Sequence, residues 1–101
     1  MAKTQQQIME DIRAAVLEDR YILTPHAWEE MRNDRLVSAD IESGLLTGRI
    51  DREYKDDPRG TRFRVVGVAC DLATQVGVVL RFVLDDCVLV ITTFVLETNH
   101  E

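Results

Sequence analysis

The sequence predicts an α+β fold in which two to three N-terminal helices pack on a four-stranded antiparallel sheet. Apolar residues recur at helical intervals behind capping residues as far as Gly48, the period changes to two from Arg49, and the later connections are short enough for hairpins. With 101 residues, 46% hydrophobic and 30% charged, the chain reads as one domain, 1–101, able to bury a modest core without metal or disulfide.

Thr4 and Gln7 have capping-box spacing, and Ile8, Ile12, Ala15 and Val16 follow at helical intervals, which predicts a first helix over 4–19. Thr24-Pro25 is a cap followed by proline at the first helical position. Ala27, Trp28 and Met31 supply the apolar stripe of that second helix, which ends near Asp34. Ser38 is expected to cap a third, with Ile41, Leu45 and Leu46 facing inward and Gly48 in a left-handed C-terminal position.

Beyond it, Ile50, Arg52 and Tyr54 alternate with Asp51, Glu53 and Lys55, the pattern of a half-buried edge strand. Asp56-Asp57-Pro58-Arg59-Gly60 is turn chemistry, and strands are predicted over 62–70, 75–84 and 87–96. In the last two strands both parities are apolar, so both faces of the sheet need cover. One helix layer covers one; the other is expected to meet the N-terminal helix or a second subunit, and the latter predicts a homodimer.

The net charge of -6 repels nucleic acid and anionic membranes at long range. Its distribution is uneven: residues 49–64 carry six positive and four negative groups, whereas 1–48 carry five and nine. Ten of the twelve basic residues are arginine, whose planar fork suits phosphate or carboxylate. The longest apolar stretches, Val76 to Val83 and Val88 to Ile91, fall far short of the roughly 18 residues of a membrane helix. The N-terminus has no apolar signal region, so a cytoplasmic protein without a membrane partner is expected. Cys70 and Cys87 lack metal or redox spacing and read as buried thiols; His26 and His100 are too few for a multi-histidine site. No metal or cofactor is expected.

His26 stands near a helix N-terminus, a position that suits either a general base or a surface or capping histidine bonded to backbone. Arg62 and Arg64 share a parity, which puts their side chains on one strand face about 7 Å apart, near the spacing of successive phosphates. Arg81 interrupts an apolar strand and must find a carboxylate, a backbone acceptor or a ligand. Such a cluster stabilises charge developing on a phosphate. The alternative for Arg52 and Arg62 is a salt-bridge ladder with Asp51, Glu53 or Glu29. Asp56-Asp57 and Asp85-Asp86 read as turn residues, and Phe63, Phe82, Phe94 and Trp28 as core.

Taken in order, Thr24-Pro25-His26-Ala27 with Glu30-Met31, Asp40-Ile41, Leu45-Leu46, Gly48, Tyr54, Asp56-Asp57-Pro58, Gly60, Arg62-Phe63, Val65-Val66-Gly67 and Ile91-Thr92 resemble domain-of-unknown-function family 4258 over roughly 22–95. The helix at 4–19 lies outside that stretch. The family is grouped by fold with RelE- and ParE-type toxins, so the resemblance implies helices on an antiparallel sheet and, by analogy, metal-independent RNA cleavage or binding. By position His26 and Arg62 match the family's histidine and arginine, the implied catalytic pair. Arg64 and Arg81, from the strand reading above, complete the candidate phosphate-binding set with Arg35, which stands one place beyond the slot, here Asp34, that an arginine often fills in the family. Relatives' histidine in the third strand is replaced by Val76-Gly77-Val78, and a final-strand tyrosine by Phe94, which leaves proton transfer to His26 alone. The expected partners are RNA or an antitoxin-like or other protein. The rival expectation is a non-catalytic dimeric interaction module on the same fold.

Overall fold

The computed structural model describes residues 3–96. Its elements are α1 (Gln5–Leu17), β1 (Tyr21–Leu23), α2 (Pro25–Asn33), α3 (Ser38–Thr47), β2 (Arg49–Tyr54), β3 (Arg62–Val68), β4 (Gln75–Val83) and β5 (Cys87–Leu96). The strands form one sheet in the order β1-β5-β4-β3-β2, so the fold is α+β with a five-stranded mixed sheet. The extra strand corrects the expected count of four. Tyr21–Leu23 runs parallel to Val88–Val90, and three residues are too few to show an alternation. Among the described residues no helix is long and apolar enough to cross a membrane.

Local chemistry accounts for the helix starts. Thr4 Oγ1 accepts from the Gln7 N–H while the Gln7 side chain accepts from the Thr4 N–H, completing a capping box. Thr24 Oγ1 accepts from the Ala27 N–H, with Pro25 opening α2. At α3 the expected cap is displaced: Val37 holds the N-cap position, Ser38 is already helical, and Asp40 Oδ2 accepts from the Val37 N–H. Asp40 Oδ1 accepts from the Cys70 N–H, tying the helix start to the loop after β3. The Val37 N–H first, and then Cys70, hold the Asp40 carboxyl below its usual range against the opposing effect of burial.

The left-handed conformation that the sequence predicts for Gly48 is not adopted; its φ is -87°. Glycine is needed there for space, since a Cβ would lie 2.7 Å from Val65 Cγ1 and 2.8 Å from the Val66 carbonyl oxygen. Gly67 on β3 is tighter still, with the Gly44 carbonyl oxygen 2.0 Å from where its Cβ would stand. Thus α3 lies directly on the β3 backbone. Ser43 Oγ donates to the Val68 carbonyl, and the Val68 N–H donates to Thr47 Oγ1, fixing that contact. Arg13 of α1 donates to the carbonyls of Leu46 and Gly48, satisfying acceptors at the end of α3.

The core lies between the helices and one sheet face. Ile12, Met31, Ile41, Leu45, Val65, Leu80, Val88 and Val90 are each fully buried there. Burying one such side chain stabilises by about 1.5–3 kcal/mol relative to leaving it exposed. Trp28, expected in the core, is 48% exposed because Ala27 and Met31 form the inward edge of α2. The cysteines also depart from expectation: Cys70 is exposed in the loop after β3, and Cys87, opening β5, is half-buried.

Two irregularities decide which side chains face the helices. The β4–β5 register passes from Val79↔Thr92 to Leu80↔Val90, leaving Ile91 unpaired. Val88 and Val90 precede this bulge and Thr93 follows it, yet all three are buried. The apolar residues of both parities on β5 are therefore partly a parity switch rather than two faces needing cover. A second shift, at Asp51, puts Ile50 in the core but turns Arg52 to the opposite side. Asp85 and Asp86, as expected, make a turn, with φ of 63° and 56°.

Candidate functional site

The sheet face turned away from the helices holds the densest positive charge of the described chain. Directly paired residues of antiparallel strands share a face. Arg64 pairs with Arg52 and Val79, Arg62 with Tyr54, Arg49 with Val66, and Arg81 with Leu89. Each alternates with a helix-facing residue such as Phe63, Val65 or Leu80. Five arginines, at 49, 52, 62, 64 and 81, thus share the face, and the register places Arg62 beside Arg81. The paired carboxylates come from Asp51 and Asp57.

The arginines are held differently. Arg64 makes a bidentate pair with Asp51, Nε to Oδ1 at 2.8 Å and Nη2 to Oδ2 at 2.7 Å. Donation from Arg64 holds the Asp51 carboxyl below its usual range. The guanidinium carbon of Arg64 lies 5.8 Å from the centre of the Phe94 ring. Phe94 therefore belongs to this face rather than the core, and its ring fills the space above Gly77, where a Cβ would stand 2.2 Å from it. With Phe94 over Gly77, and Val79 only 8% exposed between Arg64 and Thr92, the face is partly covered by the chain's own long side chains.

Arg62 lies over Tyr54, 4.9 Å from the ring centre. Its Nε is 3.2 Å from Asp57 Oδ2 but is misaligned for a hydrogen bond, although it is shielded from solvent. Asp57 gives its other oxygen to the Arg59 N–H, the leading reason its carboxyl sits below the usual range. Arg81 has a shielded Nε with no hydrogen-bond partner, and no carboxylate lies within ion-pair distance among the described residues.

His26 is placed elsewhere. It stands on α2, along the outer edge of β5, with its Nε2 3.4 Å from Glu30 Oε1 and its side chain 61% exposed. Glu30 Oε1 also accepts from the Thr93 N–H, a strand-edge donor. The backbone of β3 lies two strand spacings from β5, about 10 Å, and neither His26 nor Glu30 shares a partner with any arginine. Arg35 is exposed in the turn between α2 and α3, with φ of 60°, off the sheet.

The structure therefore brings together Arg62, Arg64 and Arg81 and leaves His26 and Arg35 outside that group. Parity of residues 62 and 64 was visible in sequence. Arg49 and Arg52 were missed as members of the face because the bulge at Asp51 breaks the parity that would relate them. Glu30 was available as the partner of His26 from its i,i+4 spacing alone.

These features define a small α+β domain with a helix-covered sheet face and an arginine-rich open one. The chain belongs to the family described as Domain of unknown function (DUF4258), whose model matches residues 23–95. No curated protein and no solved structure matches it. Helix α1 lies outside the matched stretch, yet its Ile12 and Ala15 are fully buried in the shared core.

Proposed function

We propose that this protein binds single-stranded RNA across the open face of its sheet. One observation carries the reading: five guanidinium groups share a single sheet face, where among the described residues only those of Arg62 and Arg64 are ion-paired, in a chain whose net charge is -6. Concentrated positive charge in an otherwise acidic molecule orients a polyanion toward one surface. Tyr54 and Phe94, each already beside an arginine, add rings of the kind on which unpaired bases stack. Face-to-face pairing of two copies is disfavoured by the like charges each would bring. The reading is binding, since the arginines share the sheet face while His26 pairs with Glu30 on α2, and a cytoplasmic location goes with it.

Fluorescence anisotropy with a labelled single-stranded RNA tests it. Affinity is expected to fall linearly on a log–log salt plot, by about 0.7 in slope for each phosphate contacted. Arg49→Ala and Arg52→Ala should each lower that slope by about one phosphate contact, while Arg32→Ala on α2 should leave it unchanged. Binding that is insensitive to salt, or equal in all variants, overturns the reading. A stable dimer by light scattering with no affinity for RNA supports the interaction-module reading instead.

A further inference from the structure

Within that face, we infer that Arg62 and Arg81 form a discrete oxyanion site that grips one phosphodiester group. The inference rests on the RNA-binding reading but stands on a separate observation. Among the described residues the only arginine Nε atoms both shielded from solvent and without a hydrogen-bond partner are those of Arg62 and Arg81. The register sets these two residues side by side on β3 and β4. A shielded donor without an acceptor costs free energy, and in folded proteins such groups mark a place for water or an ion. The other partly buried arginines are satisfied: Arg13 by two carbonyls, Arg64 by Asp51, and Arg20 by Glu18 and the Asp86 carbonyl.

The charge count selects the ligand. The carboxylate beside Arg62 is Asp57, which Arg59 shares through an Nε 3.4 Å from Oδ1, and whose Oδ2 approaches Arg62 without accepting a hydrogen bond. The guanidinium groups of Arg59, Arg62 and Arg81 outnumber that one carboxylate, and the surplus suits an anion, which on the RNA-binding reading is the internal phosphodiester of the strand. A phosphate oxygen pair also suits two planar forks, which lysine would not match. The stack of Arg62 on Tyr54 limits the directions in which that fork can turn.

The arginine Nε–Hε resonances of the isotope-labelled protein read the site directly. The probes are a uridine dinucleotide with one phosphodiester, uridine monophosphate and inorganic phosphate. The dinucleotide should shift the Arg62 and Arg81 signals with one shared midpoint, leave those of Arg49 and Arg52 in place, and bind several-fold more tightly than either terminal phosphate. Arg81→Lys keeps the charge but loses the fork, and should weaken the dinucleotide at least tenfold and remove the Arg62 response. Asp57→Asn should shift preference toward uridine monophosphate. Equal shifts at all five face arginines, different midpoints for Arg62 and Arg81, or an unaffected Arg81→Lys variant would overturn the site. A long RNA that binds with steep salt dependence while Arg62 and Arg81 stay silent removes the site and leaves the face reading intact. Dinucleotide binding at these two arginines without affinity for a longer strand does the reverse.

Discussion

The two faces of this sheet are stabilised by different physics, although the same strands supply both. On the helix side, Ile41, Leu45, Val65 and Leu80 are fully enclosed, and glycines at 44, 48 and 67 let α3 approach the strand backbones directly. On the open side the Phe94 ring lies over Gly77, and ion pairs to Asp51 and Asp57 hold the charged ends of Arg64 and Arg62. The first arrangement tolerates little change of volume. The second carries exposed guanidinium groups at Arg49 and Arg52 beside half-buried ones at Arg62, Arg64 and Arg81. Stability therefore concentrates on one face and ligand-facing chemistry on the other.

The sharpest way to break this contrast is to remove volume from the closed face. Leu45→Ala should destabilise by about 2–5 kcal/mol in chemical denaturation. Val66→Ala, at a half-buried position on the open face, should cost clearly less. Equal losses would mean that the two faces are packed alike.

A smaller effect follows from the charge on the open face. Asp51→Asn removes the bidentate partner of Arg64 and raises the positive charge of the face. Stability should fall by no more than about 1 kcal/mol, as for a surface pair, while RNA affinity at low salt rises several-fold. Unchanged affinity would assign Arg64 to structure alone.

Alkaline titration sharpens the description of the closed side. Tyr21 is pushed up to about 12, first by burial and then by its hydrogen bond to Glu42. A phenol with a raised folded value contributes stability that is complete below its unfolded value near 10 and is lost as pH climbs toward 12. Melting of the wild type should therefore fall through that interval more steeply than melting of Tyr21→Phe. Identical profiles would remove the Glu42 contact from the account.

The smallest expected effect is that of His26, beside the outer edge of β5. His26→Ala removes an exposed i,i+4 pair and should change stability by under about 0.5 kcal/mol. Glu30→Ala also leaves the Thr93 N–H without its acceptor and should cost more, about 1–3 kcal/mol. RNA binding should survive His26→Ala. Should the wild type cleave RNA and this variant fail to, His26 would take part in chemistry and binding alone would be too narrow a reading.

Much of this was legible in the linear chain because it depends on neighbours a few residues apart. The caps at Thr4 and Thr24, the stripes of Ile12 with Val16 and Ile41 with Leu45, and the shared parity of Arg62 and Arg64 are local patterns with a local cause. The amino-acid order determined that there would be three helices, then paired strands, with those two arginines side by side. Only tertiary structure decided that Tyr21–Leu23 is a strand, that Trp28 faces water, and that Arg49, Arg52 and Arg81 join the same face. Those outcomes depend on bulges at Asp51 and Ile91 and on pairing between distant segments. A one-residue register shift reverses the direction of every side chain beyond it, and no local propensity records where such a shift will fall.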